Sequence, residues 1–233
     1  MDRKVVPCPS FCVMLNPTDP MVWINYAVPT GEASAADIAA MVEAFRAHDR
    51  VPRLEFFRDL WPSVAMGLEE AGFSCLAEMP IMILQAADFS DRPSAISCSE
   101  VGPDEVDVLS AVTGAAFAET DHLEAPSAES VALGSAAVAG GRWIAMLATI
   151  DSEVAGGGVA VGNRKSREAA GIGTLPRFRR QGVASAVLDA LGKRHFGEGG
   201  ELMWLTPGDV AAQSVYERAG YRTVGTQVCY QLG

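Results

Sequence analysis

Long apolar runs are missing from this 233-residue chain, and none approaches the ~20 residues that a membrane-spanning helix needs. Near the amino terminus, charge at Asp2, Arg3 and Lys4 is followed by Pro7, Pro9 and Pro17, which interrupt any signal-peptide core. A soluble, cytoplasmic protein without membrane contact is expected. Basic charge is scarce too. Lys and Arg total 18 against 29 Asp and Glu, a formal net charge of −11, which argues against nucleic acid held on a basic surface. An acidic chain is compatible with a cationic amine partner. Cysteines are few and scattered (Cys8, Cys12, Cys75, Cys98, Cys229), with no second pair or His near Cys8 and Cys12. Free, mostly buried thiols and no metal site follow. Apolar residues are plentiful at 49%, ample for the core of one large domain or one and a half smaller ones.

The most informative stretch runs from Gly171 to Leu191 and reads as a strand, a basic turn and an amphipathic helix. Val183, Ala186, Val187, Ala190 and Leu191 form one apolar stripe at helical spacing. Lys193, Arg194 and His195 sit where cations favour a helix carboxyl end, and Gly197 supplies a stop. At the other end, Arg179, Arg180, Gln181 and Gly182 bring charge and open backbone N–H groups to the helix start. The helix dipole favours an anion there, and a glycine lets a phosphate approach the main chain. This combination reads as a pyrophosphate cradle. Gly171 and Gly173 begin like a dinucleotide-binding fingerprint, but Pro176 stands where its third glycine belongs, so that reading is rejected.

The order Pro176, Arg179, Gly182, Ala184 after a strand resembles the R-x-x-G-x-[G/A] loop of the GCN5-related N-acetyltransferase (GNAT) family. A second block, Asp209 to Tyr221, resembles the family's later motif, a helix carrying a tyrosine that ends in glycine and an aromatic. Asp209 suits the N-cap, Ala212, Val215, Tyr216 and Ala219 form a buried stripe, and Gly220 is the stop before a last strand running through Leu232. Asp209 stands where the family usually has the Asn that helps hold the donor's pantetheine arm. Between residues 95 and 233 the expected order is β-α-α-β-β-β-α-β-α-β, that of the GNAT fold, an α/β mixed central sheet flanked by helices. Its parts include a strand near Ile96 to Val101 and Pro103 opening a helix with Val106, Leu109, Thr113, Ala116 and Phe117 inward. A helix near Ser127 to Ala139 follows, and then a hairpin turning at Asp151 and Ser152.

Aligning Gly72 with Gly220, LEEAGF (Leu68 to Phe73) falls on YERAGY (Tyr216 to Tyr221) and Leu54–Phe57 falls on Leu202–Leu205. Ile38, Met41, Val42 and Phe45 give a helical stripe upstream. Residues 1–90 are therefore expected to be a degenerate, partial GNAT-like repeat. Thr30 to Ser34 lacks the cradle and Leu68 replaces the tyrosine. Ala87 to Pro93 reads as a linker to a catalytic domain at 95–233.

The resemblance implies an acyltransferase that moves an acetyl group from acetyl-CoA to the amine of a small molecule, amino acid or peptide. A non-catalytic acyl-CoA-binding module is the alternative. The donor would be held by Ile172, Gly173, Thr174, Arg179, Arg180, Gln181, Gly182, Val183, Ala184, Asp209 and Tyr216. Backbone N–H groups of Ile172 to Thr174 would face the developing oxyanion, and glycines make a bulge easy there. Tyr216 would protonate the leaving sulfur. The general base stays open among Glu119, Asp121, His122 and Glu124, or a water chain, with Glu119 put forward.

Overall fold

The computed structural model describes residues 4–233, so the expected charges at Asp2 and Arg3 fall outside the described residues. The chain forms β1 (Lys4–Cys8), β2 (Phe11–Leu15), β3 (Tyr26–Pro29), α1 (Ala35–Arg46), β4 (Arg53–Phe57), α2 (Pro62–Glu70) and β5 (Ser74–Gln85). There follow β6 (Ser97–Glu100), α3 (Val106–Phe117), α4 (Ala128–Ala139), β7 (Trp143–Ile150), β8 (Glu153–Gly162) and β9 (Ser166–Thr174). Then come α5 (Val183–Gly197), β10 (Leu202–Leu205), α6 (Val210–Arg218) and β11 (Arg222–Gln231). From β6 onward the order is the expected one. Among the described residues no helix is long and apolar enough to cross a membrane, and no group of His, Cys, Asp and Glu is placed to hold a metal.

Two compact units emerge, one ending at Ile81 but including Val224–Gly233, the other Met82–Thr223. Sequence placed the last strand wholly with the carboxyl-terminal domain. Instead most of β11 lies in the first unit, whose strand order is β1-β2-β3-β4-β11-β5. There β11 runs antiparallel to β4, with Val228 opposite Phe56 and Tyr230 opposite Leu54. The expected stripe of Ile38, Met41, Val42 and Phe45 on α1 is buried against Phe11, Val13, Leu15, Leu54, Leu68, Val228 and Tyr230. In β1 and β2, Cys8 pairs with Phe11 and Cys12 with Pro7, so the two thiols point to opposite faces and cannot bridge. All five cysteines are free, but only Cys229 is buried and Cys75 is exposed, fewer buried thiols than expected.

In the second unit, residues 82–85 run antiparallel to β10, and β9, β8, β7 and β6 follow in order. Alternation along β7 divides the core into two layers. Ile144, Met146 and Ala148 join Val183, Val187 and Leu191 of α5, while Ala145 and Leu147 join Val106, Leu109 and Val112 of α3. Phe117 was expected inward but is 66% exposed, because the buried face of α3 turns through Val112 and Ala115 instead. The expected linker is anchored on α5, where Phe89 packs on Phe196 with ring centroids 5.1 Å apart and Asp91 accepts from Lys193 at 2.7 Å.

His195 departs most from expectation. It is wholly buried rather than a solvated cation at the helix end. Its Nε2 donates to the Leu202 carbonyl at 3.0 Å, and its Nδ1 accepts from Arg167 at 3.0 Å, which fixes the neutral tautomer. Arg167, 5% exposed, also donates to the Gly141 carbonyl and lies 3.7 Å from Glu198. Burial and the Arg167 charge push the His195 pKa below its ordinary value, opposed by the Leu202 hydrogen bond and Glu198.

Two outcomes follow. Tyr230 is 1% exposed and donates its hydroxyl to Glu69 at 2.7 Å, so Tyr230→Ala should cost the first unit about 3–5 kcal/mol in urea unfolding. The unfolded chain protonates His195 more readily than the folded one. Its contribution is therefore fully present above the ordinary histidine pKa of about 6.5 and is lost as pH falls toward the depressed folded value. Urea midpoints should drop between about pH 7 and 5, before most carboxylates titrate, with a smaller slope in His195→Gln.

Candidate functional site

The site begins with an irregularity in β9. Its register with β8 places Gly157 opposite Gly173 and Val159 opposite Ala170, so Gly171 and Ile172 together oppose Gly158. Gly171 has φ of 61°, the left-handed value that a bulge of this kind uses. The neighbouring glycines of β8 leave the space it needs. A Cβ on Gly158 would lie 2.5 Å from Ile172 Cδ1, and one on Gly156 would lie 2.4 Å from the Gly173 carbonyl oxygen. On the other side, β9 pairs in parallel with β10 only from Ser166 to Glu168, opposite Leu202 to Trp204. Beyond Glu168 the two strands part, and the stretch from Ala169 to Thr174 has a strand neighbour on one side only. Backbone donors on that open side are available to a ligand rather than to a ladder.

At the end of β9 the chain makes one turn of 3-10 helix at Pro176–Phe178 and enters α5 through Gly182. Arg180 and Gly182 both have left-handed φ, 63° and 92°, so the turn curls back on itself and bunches its N–H groups. No side chain caps α5, and its first turn holds no acidic residue. The N–H groups of Val183 and Ala184 therefore stand open at the positive end of a 15-residue helix. The Val183 side chain is buried in the core, leaving its backbone as the part that can serve a ligand. Gln181 donates to the Arg177 carbonyl at 3.3 Å, and Arg180 is exposed.

Arg179 is occupied differently from the sequence expectation. Its guanidinium binds Glu119 through both carboxylate oxygens, the NH2 contact at 2.9 Å, and also donates to the carbonyls of Ala116 (3.2 Å) and Thr174 (3.4 Å). The hydrogen bond from Arg179 holds the Glu119 carboxyl below its usual range, and Glu119 in turn raises the Arg179 pKa. A carboxylate so held is a poor proton acceptor. The Glu119 carboxylate is thus engaged with the cradle turn, and the Arg179 guanidinium with protein acceptors. Asp121 is also engaged, accepting from the Arg177 backbone N–H at 3.2 Å.

Helix α6 follows β10. Asp209 is its N-cap, as expected, accepting from the Ala212 N–H at 2.7 Å. The helix ends in a Schellman motif, with the Tyr221 N–H on the Tyr216 carbonyl and the Gly220 N–H on that of Glu217, both at 3.0 Å. Its inner face is less covered than the sequence indicated. Only Ala219 of the expected stripe is buried, while Ala212, Val215 and Tyr216 are half-buried. The Tyr216 ring lies tilted against Tyr221 at 6.3 Å, and among the described residues its hydroxyl makes no hydrogen bond. Burial first, and Asp209 second, push its pKa above the ordinary tyrosine value, so the phenol stays protonated at neutral pH.

The parted strand, the open helix end and α6 all belong to the second unit, and together they hold every residue proposed for the donor. Gly156 to Gly158 were missed as contributors. Three consecutive glycines inside a strand pattern are the signal of a close backbone approach.

Comparison with known proteins bears on the fold that carries this geometry. The family profile described as "Acetyltransferase (GNAT) family" matches residues 115–221. No curated protein matches the chain. Among solved structures, a GCN5-related N-acetyltransferase from Kribbella flavida is 24% identical with a TM-score of 0.78, the match covering 98% of this chain and 89% of that one. A GCN5-related N-acetyltransferase from Sphaerobacter thermophilus is 15% identical, with a TM-score of 0.68 and coverage of 95% and 76%. A tandem GNAT protein from the clavulanic acid biosynthesis pathway is 16% identical, with a TM-score of 0.63 and coverage of 95% and 77%. At these identities the structural likeness speaks for the fold alone. Residues 115–221 of this chain, a little under half of it, are similar to the GNAT acetyltransferase family.

Proposed function

We propose that the unit from Met82 to Thr223 is an N-acetyltransferase that takes its acetyl group from acetyl-CoA and passes it directly to the amine of a small molecule, amino acid or peptide. The parting of β9 from β10 carries this reading, because it leaves strand N–H groups beside an uncapped helix end. Gly182 to Ala184 would hold the donor's pyrophosphate, with Arg180 and Gln181 at its edge. The N–H groups of Ile172 to Thr174 would receive the charge that grows on the carbonyl oxygen as the amine attacks. Tyr216, kept protonated by its surroundings, would hand its proton to the departing sulfur. The acyl chain passes from sulfur to nitrogen without any covalent enzyme species. Asp209 is committed by one oxygen to capping α6, so the pantetheine contact would fall to its other oxygen or to the main chain.

We read the first unit as a degenerate half without a donor site. Its corresponding helix, α1, is closed by its own residues. The Asp37 carboxylate accepts from the Ser34 N–H and hydroxyl, both at 2.9 Å, and the Ser34 hydroxyl caps the Asp37 N–H. A carboxylate there satisfies the helix end and repels a phosphate. The helix ends support descent from one repeat. Phe73 N–H on the Leu68 carbonyl and Gly72 N–H on that of Glu69 reproduce in α2 the motif that closes α6.

A non-catalytic acyl-CoA-binding module is the second reading, favoured by the engagement of Glu119 and Asp121 away from proton transfer. Release of free thiol from acetyl-CoA with a mixed amine panel separates the two.

Gly182→Asp places a side chain and a negative charge against the phosphates at a left-handed position that Asp tolerates. Calorimetric titration should show one acetyl-CoA per parental chain and none for the folded variant. Unchanged affinity, or a second site, would sink the assignment. Tyr216→Phe keeps the ring and removes one proton donor. With a thiol leaving group, turnover should fall on the order of 10²-fold at unchanged donor affinity, and a parental rate would return Tyr216 to a packing role.

A further inference from the structure

The segment that follows α3 makes more contacts with the cradle turn than a solvated loop would. Glu119 is a non-glycine residue at φ of 56°, in the position after the helix cap, where glycine is usual. The Thr120 N–H on the Ala115 carbonyl (3.0 Å) and the Glu119 N–H on that of Ala116 (3.4 Å) confirm the motif. A glycine would adopt this turn at less cost, but it would lack the carboxylate. The left-handed turn aims that carboxylate at Arg179, where it accepts along both oxygens. With Ala116 and Thr174 supplying two further acceptors, the Arg179 guanidinium is taken up between the end of α3 and the end of β9. Two residues before, the Arg177 backbone is held by Asp121 and its side chain by Glu153 at 3.0 Å. Between these pins and α5 lies Arg180, itself left-handed at φ of 63°. A turn with this strain keeps one shape only where its surroundings fix it.

We infer that Glu119 and Asp121 form a strut that fixes the turn 176–182, so that donor affinity is set by two carboxylates that touch no donor atom. The inference rests on the donor reading given above and makes Glu119 and Arg179 positioning residues. The pair is largely exposed, with side chains 70% and 41% accessible, so it contributes little to global stability and acts on local order. It also ties the polar segment after α3 to the cradle, so a donor that orders the turn orders that segment with it.

The test is a double-mutant cycle of Glu119→Gln, Arg179→Gln and both together, read in two ways. Hydrogen exchange of the amides of residues 177–186 in the protein without ligand reports the strut directly. Each single variant should speed exchange about three- to tenfold and the double no further, since the two groups act as one unit. Calorimetry with acetyl-CoA should show weakening of similar size in each single variant and no more in the double. Three results would overturn the inference. In the first, exchange is unchanged in Glu119→Gln. In the second, only Arg179→Gln weakens binding, which would make that side chain a direct phosphate ligand. In the third, Glu119→Gln keeps donor affinity but slows turnover and removes the acid limb of the pH profile, as for a general base. If the parental protein fails to bind acetyl-CoA, the donor reading falls, and the exchange arm still decides the strut.

Discussion

Parallel pairing between β9 and β10 stops at Glu168 and Trp204, and the arrangement of the second unit follows from that stop. A buried strand with one unpaired side would ordinarily be costly, because each orphaned N–H or C=O forfeits a hydrogen bond. Here the open side coincides with a bulge, an uncapped helix end and a half-covered tyrosine helix. Glycines at 156, 157 and 158 let the bulged strand lie close to β8, and α3 packs tightly on the other side, where a Cβ on Gly173 would come within 3.0 Å of Ala116 Cβ. The fold concentrates its backbone irregularity in one place and surrounds it with ordinary close packing.

Opposite ends of β9 are governed by different chemistry. At its start, Arg167 is buried with His195, the Gly141 carbonyl and Glu198, and among the described residues its Nε has no partner. Such a cluster costs desolvation and returns geometry, because it locks β9, α5 and the turn before β7 in one register. At its far end the strand meets the exposed pair of Arg179 and Glu119, where water screens the charges. One strand is therefore anchored rigidly where it enters the sheet and held by adjustable surface contacts where it leaves.

Much of this was legible in the residues. The stripe of Val183, Ala186, Val187 and Leu191, the hairpin turn at Asp151 and Ser152, the N-cap at Asp209 and the stop at Gly220 depend on contacts within a few positions, which is what periodicity and turn chemistry report. Three features were not legible, each for a physical reason. The burial of His195 depends on Arg167, 28 positions away, and a helix end with Lys193, Arg194 and His195 looks the same whether solvated or packed. The pairing of Glu119 with Arg179 spans 60 positions, and a charged loop gives no sign of which member finds a partner. The membership of β11 turns on which of the two units it joins, and its alternation of apolar residues suits either.

That membership bears on how the chain reaches its final state. β4 and β5 are synthesised well before the strand that lies between them. Until β11 arrives, the first unit lacks Val228 and Tyr230 from its core and exposes two unpaired strand edges. The amino-terminal half therefore cannot finish folding as it leaves the ribosome and must wait, partly open, for the second half to be made. Closing so long a loop is slow, and chaperone binding to the nascent first unit would be concentrated in that interval.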